Sequence, residues 1–292
     1  MSGVNPPPLD PRLNAYLPAL ADARLRGVVE AERFAEGSLK RVVAAVAPLK
    51  RRPHEDAPLD SEVVLGEMVR VFGDTPDGWS WCQCQADSYV GFVPTAALDD
   101  VGPEPTHRVT ALRTFLYPAP DLKLPHRAML FAGSTLVLGE EVRTRGTPYR
   151  VLAGGDGAVP AVDVAEIGEP LPEDFVAEAE RLVGTPYLWG GRTALGLDCS
   201  GFVQLALALT GRPAPRDANL QAEMLGEPVE GGIESGLVRG DLCYWPGHAL
   251  IVRDADTVIH CSGFHMRVVI EPRAVAFPRI IAAHGPPTVR RP

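Results

Sequence analysis

Nowhere in this chain is there an apolar run long enough to span a bilayer, and its start, MSGVNPPPLDPRLNAYLPAL, lacks the basic n-region and apolar h-region of a secretory leader. Basic residues are in short supply too. Twenty-eight Lys and Arg against 37 Asp and Glu give a formal charge of −9, whereas nucleic acids and anionic membranes both reward a basic face. Neither is expected as a partner, and the expected location is cytoplasmic. Cysteine is scarce: there are five, an odd number, without the spacing of a disulfide framework. A reducing compartment suits them. What the chain has is length and apolar content, 292 residues at 46% hydrophobic, too much for one compact unit and consistent with two or three domains.

One of the five cysteines stands apart. In TPYLWGGRTALGLDCSGFVQLALALTG, Phe202, Val203, Leu205, Ala206 and Leu209 recur at helical spacing behind Asp198 and Cys199, and Gly211 is a natural stop. This places Cys199 in the first turn of a helix. The free N–H groups and positive end there favour a thiolate, the form that attacks carbonyls. The bland alternative is a buried thiol acting as a small hydrophobe. Packing is the expected role for the other four. Cys82 and Cys84 alternate in WSWCQCQ and share a face with no further metal ligands at a suitable spacing, and Cys243 and Cys261 sit in apolar strands.

Two histidines interrupt apolar strands near the carboxyl end: His248 in GDLCYWPGHALIVRD and His260 in DTVIHCSGF. Alternation and β-branched content mark HALIV, TVIH and RVVIEP as successive strands, with turns at Pro246-Gly247 and Asp254-Ala255-Asp256. Antiparallel neighbours would set His248 beside His260. A cysteine at a helix start, a histidine facing it and a second polar group orienting that histidine make the nucleophile, base and orienter of thiol acyl transfer.

The runs PYLWGG, LDCSGFVQ, RGDLCYWPGHALIV and VIH, in that order over roughly residues 170 to 285, resemble the NlpC/p60 cysteine peptidases. The resemblance implies an α+β, papain-like catalytic domain with Cys199 as nucleophile, His248 as general base and then acid, and His260 orienting the imidazole. It also implies Tyr187 beside the nucleophile, hydrolysis of peptidoglycan stem peptides, and no metal or organic cofactor. The catalytic cycle would start from a Cys199 thiolate paired with protonated His248.

Ahead of this domain, expected at 169–292, the chain reads as an arm with a short helix (1–40) and two small all-β SH3-like barrels (41–102 and 103–168), separated by DDVGPEPTH and IGEPLPEDF. The arm begins proline-rich and extended. Leu25, Val28, Val29 and Phe34 are its expected apolar stripe. The first barrel carries Tyr89, Val90, Gly91, Phe92, Val93 and Pro94, while the second has only Gly157, Ala158, Val159 and Pro160 in the matching place. Exposed aromatics therefore make the first barrel the candidate recognition surface and the second a scaffold.

Tandem SH3-like units on an enzyme without a leader resemble the murein-peptide recycling endopeptidases, whose first barrel closes one end of the groove. That implies a γ-D-glutamyl-diamino acid bond as target and a free N-terminal L-Ala on the substrate. A closed pocket for an ammonium needs a carboxylate. The candidates are Asp198, which could equally be a plain helix cap, and Glu55, next to Asp56 in an early loop, with Tyr89 adding a hydroxyl. Arg216 and Asp217 match a groove-lining loop of the family, although Ala218 stands where many relatives have serine. Arg216 is expected to line the site or to brace Asp217, Ser200 to offer a hydroxyl near the nucleophile, and Gln204 to face the core edge or water. Which diamino acid is accepted stays open. Two other classes use the same residues: a transferase or deamidase with another acceptor than water, and a silent wall-peptide-binding protein.

Overall fold

The computed structural model describes residues 9–292. The proline run at 6–8 lies outside the described residues. Seven strands form the first barrel, in the order Leu98–Asp100, Ser38–Val42, Met68–Asp74, Trp79–Cys84, Val90–Pro94, Val46–Lys50, Leu59–Val64. Its first strand begins at Ser38, three residues ahead of the expected boundary. The strand Trp79–Cys84 is buried at every position, because both faces of the sheet are covered. Cys82 and Cys84 pack with Val69, Val71, Tyr89 and Val93 on one face; Phe72, Trp79, Trp81 and Phe92 lie on the other with Ala15 and Leu20 of the arm.

The arm therefore differs from its expected form. It runs as short strands, Tyr16–Leu17, Leu20–Asp22 and Phe34–Ala35, with only a 3-10 turn at Ala23–Leu25. Gly27, at φ +81°, breaks the helical spacing, and Val28 is exposed. What the arm buries is Ala15 and Leu20 against the barrel's aromatics. Those aromatics are consequently not an exposed recognition surface: Trp79, Trp81, Phe92 and Tyr89 are all buried.

The second barrel-like unit consists of small sheets around Val109, Leu130, Leu136, Leu138 and Val159. The catalytic domain has four helices, α1 (Phe175–Arg181), α2 (Cys199–Ala208), α3 (Ala218–Met224) and α4 (Arg273–His284), on a six-stranded antiparallel sheet. Four of its strands are Leu242–Trp245, His248–Val252, Thr257–Ser262 and Arg267–Pro272. The first three of these are covered on both faces and read as continuous apolar runs, whereas Arg267–Pro272, at the edge of the sheet, alternates between exposed and buried positions. Ala249, Ile251, Ile259 and Cys261 pack on Phe202, Val203 and Ala206 of α2, while Leu250, Val252 and Val258 pack on Ala276, Phe277 and Ile280 of α4. All five cysteines are free and buried.

Polar links fasten the first barrel to the catalytic domain. Arg192 donates its backbone N–H to Glu62 (3.0 Å) and its guanidinium to Glu67 (2.7 Å), and Gln204 donates to Asp87 (2.8 Å). Gln204 thus faces the barrel, not water. These links hold the barrel over the start of α2, where the nucleophile sits.

Candidate active site

Asp198, in extended conformation, ends the preceding loop, and its Oδ1 accepts the Gly201 N–H at 2.7 Å. That cap, together with the apolar stripe on the sheet, is why α2 begins at Cys199. Gly201 is obligatory, since a Cβ there would lie 2.2 Å from the Gly191 carbonyl oxygen. The loop at 190–191 can consequently press against the first turn. The Cys199 thiol is buried, with Sγ 3.7 Å from the Gly247 carbonyl oxygen, immediately before His248.

Burial pushes this thiol up to about 12, aided by the Asp198 charge, while the Ala249 and Ser200 N–H groups and Arg216 pull the other way. Burial also brings His248 down to about 4, with the nearby His284 and Arg279 adding to it. Both effects favour the neutral forms. Desolvation thus works against the thiolate–imidazolium pair that the helix-terminal N–H groups favour.

His248 and His260 meet through Nε2 and Nδ1 at 2.9 Å, their rings 5.1 Å apart and inclined at 69°. His248 Nδ1 makes no hydrogen bond among the described residues and so is the nitrogen left for the thiol. His260 is wholly enclosed, and burial, then the neighbouring His248, holds it down at about 3. Unfolded, each imidazole takes up its proton near 6.5; folded, only near 4 and 3. Across that window the unfolded chain binds more protons, so the contribution is intact above pH 6.5 and is lost as pH falls toward 4. The urea midpoint is therefore expected to fall between pH 7 and 4.5, and His260→Asn to lessen that fall by about 1–3 kcal/mol. Parallel pH profiles for the two proteins would assign the acid lability to other groups.

A cavity of about 270 Å³ opens beside the thiol. Of the residues singled out in the sequence, Cys199, Tyr187, Asp198, Ser200, Asp217 and Tyr89 line it. A second cavity, sharing Tyr187 and Gly247 with the first, continues past His248 to Phe264, Arg279 and His284. The two form one groove through the catalytic residues. The first half is acidic: Tyr89 Oη donates to Asp217 Oδ2 at 3.1 Å, and Asp60 lies across the cavity. The second half has no acidic lining residue.

Two expected binding residues lie elsewhere. Arg216 is fully buried behind the wall, donating to both oxygens of Asp198 (3.0 and 2.6 Å) and to the hydroxyls of Ser200 and Ser61 (both 3.1 Å). It braces Asp198 and touches neither Asp217 nor the cavity. Glu55 is exposed and does not line the cavity; its backbone oxygen accepts from Lys50, and the barrel carboxylate at the cavity is Asp60, on the strand Leu59–Val64. Asp198 itself is saturated by the Gly190 and Gly201 N–H groups and by Arg216, which leaves its charge compensated.

The sequence reading also missed the arm. Arg12 donates to Asp10 (2.6 Å), Asp217 (2.7 Å) and Asn219 (2.9 Å) and lines the cavity. Arg51 lines it too, paired with Asp60 at 3.2 Å. Among the lining residues Asp60 and Asp217 stand against Arg12 and Arg51, and Arg12 is shared between Asp217 and Asp10, which itself lies outside the cavity. No residue of the second barrel-like unit lines either half of the groove.

Residues 49–98 match the bacterial dipeptidyl-peptidase SH3 domain, and residues 184–277 match the NlpC/P60 family. Dipeptidyl-peptidase 6 of Lysinibacillus sphaericus is 25% identical over 238 residues, 76% of this chain and 86% of that protein. A γ-D-glutamyl-L-lysine dipeptidyl-peptidase of Bacillus subtilis is 43% identical over 74 residues, a quarter of this chain and 23% of that protein. The crystal structure of an NlpC/P60 family protein from Bacillus cereus superposes with a TM-score of 0.70 at 21% identity, covering 87% of this chain and 99% of that one. Cys199, His248 and His260 all lie within the segment 184–277, so the catalytic part of this chain is an NlpC/P60 cysteine peptidase domain, set behind a bacterial SH3 domain.

Proposed function

We propose that this peptidase cuts the γ-D-glutamyl-diamino acid bond of murein stem peptides that carry a free N-terminal L-Ala, in cytoplasmic cell-wall recycling. The observation that carries the reading is the half of the groove bordered by the first barrel and the arm, where Asp217 and Asp60 offer an ammonium two carboxylates within reach of Cys199. An acylated amine would bring no charge to pair with these carboxylates. The names of both dipeptidyl-peptidase relatives support a dipeptide product, and that of the Bacillus subtilis protein supports a γ-D-glutamyl bond to a diamino acid.

With the ammonium between Asp217 and Asp60, the dipeptide reaches along the cavity until the glutamyl side-chain carbonyl meets Cys199. The leaving amine then points into the half lined by Phe264, Arg279 and His284. As Sγ attacks, His248 takes the thiol proton on Nδ1, so that charge is created only with substrate in place and water displaced. The tetrahedral oxyanion is met by the Cys199 N–H at the helix start; one such donor is worth roughly 2.7–4 kcal/mol. His248 next gives its Nδ1 proton to the leaving amine, the acyl group remains on sulfur, and a water deprotonated by the same nitrogen releases it. Throughout, the Nε2–H stays on His260 Nδ1.

The test compares L-Ala-γ-D-Glu-meso-diaminopimelate with its N-acetyl form, using wild type and Cys199→Ala, with products read by mass spectrometry. Expected is cleavage of the free-amine peptide by wild type alone. Equal cleavage of both peptides would remove amine recognition, and cleavage by Cys199→Ala would remove the thiol mechanism.

A further inference from the structure

We infer that Glu271 is a positioning residue of this peptidase, holding His260 in the tautomer that lets His248 act as the base. The inference rests on His248 as base in the mechanism above. The 2.9 Å bond between His248 Nε2 and His260 Nδ1 holds one proton, and its owner decides what His248 can do. For His248 Nδ1 to accept from the thiol, the proton of neutral His248 must sit on Nε2. His260 Nδ1 is then an acceptor, and His260 must carry its own proton on Nε2. In the opposite arrangement His248 carries Nδ1–H and cannot take a proton there.

His260 Nε2 is buried without a hydrogen-bond partner, and Glu271 Oε2 lies 3.9 Å away. A proton on Nε2 faces an anion; a bare lone pair there would face the same anion unfavourably. Only a small displacement turns 3.9 Å into a charge-assisted hydrogen bond, and an unmet buried N–H costs about 1–3 kcal/mol. The strands bring the two together. His260 stands opposite Val269, so Glu271 is its diagonal neighbour on the same face of the sheet.

Glu271 is itself buried and fixed from behind. Arg279 of α4 donates to both its oxygens (2.9 and 2.6 Å), and His265 Nε2 meets Oε1 at 2.5 Å. The charged or titratable groups around the histidine pair are thus Glu271 and His265 on the sheet side and Arg279 and His284 from α4. Glu271 is the only anion among them. Without it Arg279 stands uncompensated, and an imidazolium at His248 becomes costlier to form.

Full-length wild type, Glu271→Gln and Glu271→Asp are compared in kcat, KM and the pH dependence of kcat/KM on the free-amine peptide. Cys199 alkylation by iodoacetamide against pH is measured alongside, as a readout that needs no substrate. Expected for Glu271→Gln is a kcat about 30-fold lower, part of the roughly 10²–10⁴ that acid–base catalysis supplies, with KM within about twofold. The acid limb should also move about half a pH unit lower, because a nearby negative charge that favoured protonated His248 is gone. Glu271→Asp keeps the charge, so its acid limb should stay at the wild-type position with part of kcat restored. A Glu271→Gln enzyme with unchanged kcat, or one with reduced kcat but an unmoved acid limb and alkylation profile, would overturn the inference. If wild type leaves the peptide uncut, the substrate reading fails, and the alkylation profiles still decide the role of Glu271.

Discussion

Replacing Asp217 by alanine is expected to lower kcat/KM for the free-amine stem peptide by about 10²- to 10³-fold, which corresponds to roughly 2.7–4 kcal/mol of transition-state binding. Asp217 is the carboxylate that joins the two lobes of the acidic cavity: Tyr89 of the first barrel and Arg12 of the arm both donate to it. Its removal does more than delete an attraction. Arg12 stays, held by Asp10, and the pocket keeps only Asp60 as a carboxylate not tied to Arg216. An ammonium entering it would lose its partner in a site the substrate itself desolvates, where breaking one side of a buried charge pair costs up to about 3–5 kcal/mol. The helix following Asp217 should survive, because the Asp217 side chain makes no capping bond although it occupies the N-cap of α3. The N-acetyl peptide provides the control. It brings no ammonium, so its slow cleavage should change little, and the ratio between the two peptides should collapse in the variant. A parallel loss on both peptides would make Asp217 structural.

The catalytic core was legible in the sequence because its signals are local. The apolar stripe behind Asp198 fixes where α2 starts, and continuous apolar runs around His248 and His260 are what strands covered on both faces must be. Recognition was legible only in part, because it depends on contacts between distant residues. Arg12 reaches Asp217 across 205 positions, and nothing near Arg12 in the chain announces it. Arg216 and Asp217 are adjacent with similar composition around them, yet one side chain turns inward to Asp198 and the other into the cavity. The carboxylate expected at Glu55 is supplied by Asp60, because the loop lies outside the cavity and the start of the next strand lies inside it. The arm misled for a related reason. Leu25, Val28 and Val29 have helical spacing, but the uncovered aromatic face of the barrel is met by Ala15 and Leu20. Glu271 reads as one polar residue of an alternating strand, and its meaning comes only from the diagonal neighbour.

Arg216→Ala is expected to lower unfolding stability by about 3–5 kcal/mol, a large share of the roughly 5–15 kcal/mol that holds a typical domain folded. The guanidinium is 1% exposed and bonds to both Asp198 oxygens, to the Ser200 hydroxyl and, across the domain boundary, to Ser61 of the first barrel. Truncation leaves Asp198 as a buried anion with only the Gly190 and Gly201 N–H groups and the Ser200 hydroxyl for company, directly behind the nucleophile. Lysine would not substitute, since a point ammonium cannot reproduce the two-pronged contact and reach Ser61 as well. The cost is thus mainly that of the stranded charge, and the double variant Arg216→Met with Asp198→Asn isolates it. With no charge left to strand, and an amide whose oxygen can still accept the Gly201 N–H, the double variant should unfold about 2 kcal/mol later than Arg216→Ala in urea. It should still be a poor enzyme, because the Gly190 N–H and the Ser200 hydroxyl lose partners that set the wall beside Cys199. A urea midpoint for Arg216→Ala equal to that of wild type would mean that solvent reaches Asp198 and screens it. A double variant no more stable than the single one would shift the cost from charge to packing, and with it the reason this arginine sits behind the site.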